Sequence, residues 1–74
     1  MYTVYTKNNC QQCIMTKKKM KSLGLSFIEI NTDDNSKALD MLKSKGVQRL
    51  PAVFKGTTFI FSGFRPSDIS KLKE

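Results

Sequence analysis

Cys10 and Cys13, in the stretch NNCQQC, are the only cysteines in a chain that contains no histidine. This pairing removes most of the devices by which a chain of 74 residues can be held together. Structural zinc takes four protein ligands, mainly Cys and His, so one molecule cannot complete a tetrahedral site, and only a bridge between two molecules could. A disulfide closing so short a loop takes little entropy from the unfolded chain, so it cannot be the staple small domains commonly rely on. The fold must therefore rest on packing. Enough apolar side chains are present for that, in short clusters separated by polar turns: Val4, Phe27, Ile28, Ile30, Leu39, Leu42, Val53, Phe54, Phe59, Ile60, Ile69 and Leu72.

The pattern along the chain predicts one α/β domain over residues 1–74. MYTVYTK mixes β-branched and aromatic residues and predicts a strand from about Tyr2 to Thr6. Asn9 followed by Gln12 has the form of a capping box and predicts a helix beginning beside Cys10. Cys13, Thr16, Met20 and Leu23 share its inner face, Lys17, Lys18, Lys19 and Lys21 lie mostly outside, and Gly24 ends it. LSFIEIN reads as a second strand, parallel to the first because a helix makes the crossover. In that strand Glu29 alternates with Ile28 and Ile30, which turns it to solvent and argues against its serving as proton acceptor for Cys13.

DDNSKALDMLKSKG predicts a second helix, with acidic and capping residues at its start, Lys43 and Lys45 near its end and Gly46 as its stop. PAVFKGTTFIF predicts two strands about a tight hairpin at Gly56. After the turn at Gly63, Pro66 opens a last helix with Asp68 in its first turn, and Ile69 and Leu72 dock it on the sheet. The order β-α-β-α-β-β-α joins a βαβ unit to a ββα unit, giving a four-stranded mixed sheet with three helices on its faces. This is the thioredoxin-like arrangement.

Net charge is +7, from 13 Lys and Arg against 6 Asp and Glu. Much of the excess lies in TKKKMK, residues 16–21. Such a run is either a solvated helix face or a surface that steers an acidic protein partner. With no recognition helix and no aromatic RNA-binding motif beside it, charge alone does not point to nucleic acid. No leader-like start and no apolar run of membrane-spanning length occurs, so the expectation is a cytoplasmic protein with no membrane partner. A monomer is a separate expectation. In a reducing cytosol paired thiols are more often catalytic, redox-sensing or metal-binding than structural.

Between a strand and a helix, the first sulfur of the pair lies at the helix N-terminus. Unpaired N–H groups and the positive end of the dipole there stabilise a thiolate. Cys10 is the expected nucleophile, with Lys7 a possible contributor, and Cys13, one turn further in, the expected resolving thiol. Pro51 opens the third strand. It is either punctuation or a cis Leu50-Pro51 bond that leaves room for a partner chain beside the sulfurs, with Leu50 presenting backbone groups to it. No nucleotide-binding glycine motif occurs, and no bound cofactor or metal is expected.

Taken together, YTKNNCQQC, QRLPAV and SGFRPSDI resemble the glutaredoxin-like NrdH-redoxin family over essentially the whole chain. The resemblance implies a glutaredoxin-like sequence with thioredoxin-like behaviour, a redox carrier rather than a stand-alone enzyme. Electrons would come from NADPH through thioredoxin reductase and pass to the large subunit of class Ib ribonucleotide reductase. The alternative is a glutathione-dependent glutaredoxin. Carried over by position, Cys10 and Cys13 match the redox pair and Pro51 the cis-proline. Ser62, Gly63, Phe64, Arg65 and Pro66 match the segment that replaces the glutathione-binding turn. Glutaredoxins hold the γ-glutamyl amine with an acidic residue just after that turn, and Arg65 brings the wrong charge for it. Phe61 stands where the family commonly has tryptophan, and Gln11 and Gln12 replace the Pro-Tyr of many glutaredoxins. Lys17, Lys18, Arg49 and Arg65 are candidates for contact with a reductase.

Overall fold

The computed structural model describes residues 1–73. Its elements follow the expected order: β1 (Tyr2–Thr6), α1 (Gln11–Ser22), β2 (Phe27–Asn31), α2 (Ser36–Ser44), β3 (Ala52–Lys55), β4 (Thr58–Ser62) and α3 (Pro66–Lys71). The sheet has four strands in the order β2-β1-β3-β4. Strands β1 and β2 are parallel, with Val4 opposite Glu29, and the β1–β3 and β3–β4 pairs are antiparallel. The sheet is therefore mixed, and β1 and β3, its two central strands, carry the best-buried residues.

Both faces of the sheet are covered. On one, Val4 and Val53 pack against Met20 of α1 and Ile69 of α3, with Phe61 closing the cluster. Phe61 is buried there, so the phenyl ring fills the space despite lacking an indole N–H. On the other face, Ala52 and Phe54 pack against Leu42 of α2 and against Val47. Tyr5 and Phe54 meet edge to face at 5.2 Å, the geometry favoured by the ring quadrupoles. Burying such side chains, at about 1.5–3 kcal/mol each, supplies the stability that no staple provides.

Several expectations change at the sheet edges. Ile28, Phe59 and Ile60, expected in the core, are exposed, and Leu39 is only half-buried. Ile28 lies on β2 and Phe59 and Ile60 on β4, the two edge strands, which have a neighbour on one side only. The β3–β4 register also slips between Val53 and Phe54, which pair with Phe61 and Phe59 and leave Ile60 as the extra residue of a bulge.

Glu29 is exposed, as the alternation implies, but it has partners the sequence did not name. It pairs with Val4 and so shares the face that α1 covers. There it accepts from Thr6 Oγ1 at 2.8 Å and from Lys17 Nζ at 2.9 Å. On an edge strand the carboxylate stays partly in solvent and reaches the nearest cation. Lys17 is thus half-buried and paired rather than part of a free basic run.

The helix starts differ as well. Asn35 caps α2, its Oδ1 accepting from Ala38 N–H at 3.0 Å, but Asp33 and Asp34 precede the helix and no acidic residue lies in its first turn. Asp33 instead accepts from the Asn8 N–H at 2.8 Å, and Asn31 donates to Asn8 Oδ1 at 2.9 Å. These bonds tether the loop leading to Cys10 to the end of β2. Gly56, with φ of +62°, turns the hairpin between Lys55 and Thr58. Among the described residues no helix is long and apolar enough to cross a membrane.

Candidate redox site

The loop after β1 delivers Cys10 to the start of α1. Asn9 is not the cap of that helix, because its φ of +55° is left-handed, whereas a cap needs the extended backbone found at Cys10. The capping role passes to sulfur: Cys10 Sγ accepts from the Cys13 backbone N–H at 3.2 Å. A backbone donor directed at Sγ at a helix N-terminus favours a thiolate there once the sulfur is reduced. Cys10 and Cys13 form a disulfide, with Cα atoms 5.2 Å apart.

Accessibility separates the pair less than expected. Cys10 is 8% exposed and Cys13 2%, so both are buried and the difference between them is one of access. Cys10 lines a depression with Lys7, Gln11, Gln12, Gln48, Arg49 and Leu50, and Cys13 does not reach it. Of the two cysteines, Cys10 is the one that lines this depression. The Leu50-Pro51 bond is cis, Pro51 is buried, and Leu50 presents itself to the depression beside Cys10.

Ser62, Gly63, Phe64, Arg65 and Pro66 form the neighbouring rim. Gly63 N–H donates to Pro51 O at 2.8 Å, which ties this turn to the proline loop. Phe64 N–H donates to Gln12 Oε1 at 3.2 Å, which ties it to the segment between the cysteines. Phe64 itself packs on the α1 and α3 side of the core. Arg65 precedes Pro66, the first residue of α3, and pairs with Asp68 at 2.6 Å. These residues line a second depression with Gln12, Arg49, Ser67, Asp68 and Lys71.

In the sequence, two residues of this arrangement have other or broader roles. Gln12 reads there as a capping-box residue and as a replacement for a tyrosine, and Arg49 as one of four candidate cations for contact with a reductase. Arg49 lines both depressions, and its Cδ would lie 3.1 Å from a Cβ built on Gly63. Conversely, Lys18 lines neither depression, and Lys17 is taken by Glu29. Among the described residues no group of three or more His, Cys, Asp or Glu could hold a metal ion.

A disulfide-forming CxxC that caps a helix, beside a cis-proline loop and on a thioredoxin-like sheet, defines a thiol–disulfide redox protein. The glutaredoxin family model matches residues 2–60. The glutaredoxin-like protein NrdH of Lactococcus lactis subsp. cremoris is 43% identical over 72 residues, covering 97% of this chain and 99% of that protein. The same protein of Salmonella typhimurium is 44% identical over 70 residues, covering 95% of this chain and 85% of that one. The structure of NrdH-redoxin from Escherichia coli superposes with a TM-score of 0.89 at 41% identity, covering 96% of this chain and 92% of that one. The chain belongs to the glutaredoxin family, among its NrdH-type glutaredoxin-like proteins.

Proposed function

We propose that this chain is a dithiol electron donor, reduced by thioredoxin reductase with electrons from NADPH, and that it reduces the large subunit of class Ib ribonucleotide reductase. The observation that carries the reading is Cys10 itself, a helix-capping sulfur lining a depression through which a partner disulfide can approach. In the reduced chain, the Cys10 thiolate attacks one partner sulfur and expels the other as a thiolate. Cys13, having lost its proton, then attacks Cys10 Sγ, closes the intramolecular disulfide and expels the second partner thiolate. Two electrons leave the chain, and the two partner thiolates take up two protons.

The rim supports this choice of reductant. The acid nearest the glycine turn, Asp68, is engaged by Arg65, so it is not free to hold a glutathione amine. The E. coli relative, at 41% identity, is described as having a thioredoxin-like activity profile. The reading is of a cytoplasmic monomer that works without a bound cofactor or metal and away from nucleic acid and membrane. The test is re-reduction of the oxidised chain. NADPH with thioredoxin reductase should regenerate the dithiol rapidly, and glutathione with glutathione reductase poorly. The reverse result would make it a glutathione-dependent glutaredoxin.

A further inference from the structure

Four cations from three segments converge on the redox site. Lys7 follows β1, Arg49 precedes β3, Arg65 precedes α3, and Lys71 ends it. Lys7 and Arg49 line the depression at Cys10, while Arg49, Arg65 and Lys71 line the next one. The lysine-rich run of residues 17–21, which carries much of the charge in the sequence, lines neither. Against these four cations stands one lining carboxylate, Asp68, already paired with Arg65. Among the described residues Lys7, Arg49 and Lys71 make no ion pair. The other lining residues are mostly polar, including Gln11, Gln12, Gln48, Ser62 and Ser67.

The two depressions adjoin at Gln12 and Arg49, which line both, and together they make a groove with Cys10 in one part and Arg65 and Lys71 in the other. A cleft lined by one sign of charge attracts the opposite sign, and a polar lining gives apolar side chains little to hold. We propose that this groove binds an acidic polypeptide segment flanking the partner's reacting disulfide, so that carboxylates beside the cysteines select which disulfides the chain reduces. The proposal rests on the disulfide-reducing reading above. Arg49 is its specificity-determining residue, because any extended segment placed over Cys10 must pass it to reach Arg65 and Lys71.

The test uses three synthetic peptides with the same disulfide, flanked by two Glu, two Gln or two Lys. Each is reduced by the full-length dithiol chain in a single turnover, and each rate is divided by that for dithiothreitol to remove the peptide's own reactivity. At low ionic strength the Glu peptide should react about tenfold faster than the Gln peptide, and the Lys peptide slowest, with the gaps narrowing as salt is added. Arg49→Gln with Lys71→Gln should abolish most of the preference. Lys43→Gln with Lys45→Gln, which removes the same charge from the end of α2, should keep it. Equal rates for the three peptides, a preference that survives the groove variant, or one lost equally in the α2 variant would overturn the proposal while leaving the donor reading intact. Failure to reduce any of the peptides would sink both. Should the groove variant not fold, the salt dependence of the unaltered chain on the three peptides still decides.

Discussion

Gln12 Oε1 accepts the backbone N–H of Phe64 at 3.2 Å, joining residues 52 apart in the chain. One end of this bond lies between the two cysteines and the other in the turn that leads to α3. With the bond from Gly63 N–H to Pro51 O at 2.8 Å, it fastens the CxxC segment, the proline loop and the rim turn to one another. Gln12→Ala should leave the fold intact, at a cost of about 0.5–1.5 kcal/mol for the lost hydrogen bond. The rate of partner reduction should fall several-fold, and in steady-state assays the loss should appear mainly in KM, since the sulfur chemistry is untouched. A loss confined to kcat, with KM unchanged, would contradict this role.

Gly63 holds a φ of +81°, in the region where a side chain is strained. The Arg49 side chain near the built Cβ is flexible and can yield, so the cost of Gly63→Ala is mainly conformational. Denaturant unfolding should show a loss of about 1–2 kcal/mol. An unchanged midpoint would mean that the turn can adopt a negative φ without cost.

Lys17, through its hydrogen bond, holds the Glu29 carboxyl below its ordinary value of 4.5; Thr6 adds to this, and partial burial opposes it. A carboxyl whose pKa is lower in the folded chain stabilises the fold above the unfolded value and loses that contribution as pH falls through the folded one. The pair is partly exposed and screened, so Glu29→Gln should cost only about 0.5 kcal/mol at neutral pH. The gap between the two proteins should close as the pH drops through the acid range. A gap that widened toward acid would reverse the sign argued here.

These residues also mark what a sequence can and cannot reveal about such a site. The position of Cys10 between strand and helix, the hairpin at Gly56 and the helix start at Pro66 were legible because each depends on neighbours a few residues away. The identity of the α1 cap was not, because it turned on the left-handed backbone of Asn9, which the string NNC does not specify. Alternation gave the exposure of Glu29 but not its partners, because it does not say that Thr6 and Lys17 lie within reach. The Gln12–Phe64 bond and the place of Arg49 belong to tertiary structure alone, and no local pattern carries them.

The central claim is that the backbone donor at the start of α1 keeps the reduced Cys10 sulfur charged and reactive. The direct measurement is the pH dependence of iodoacetamide alkylation of Cys10 in the reduced Cys13→Ser chain. The account predicts a titration well below the value of about 8.5 for an ordinary thiol, with substantial reactivity at about pH 6. Alkylation that follows an ordinary thiol, or is slower than one across the whole range, would contradict it.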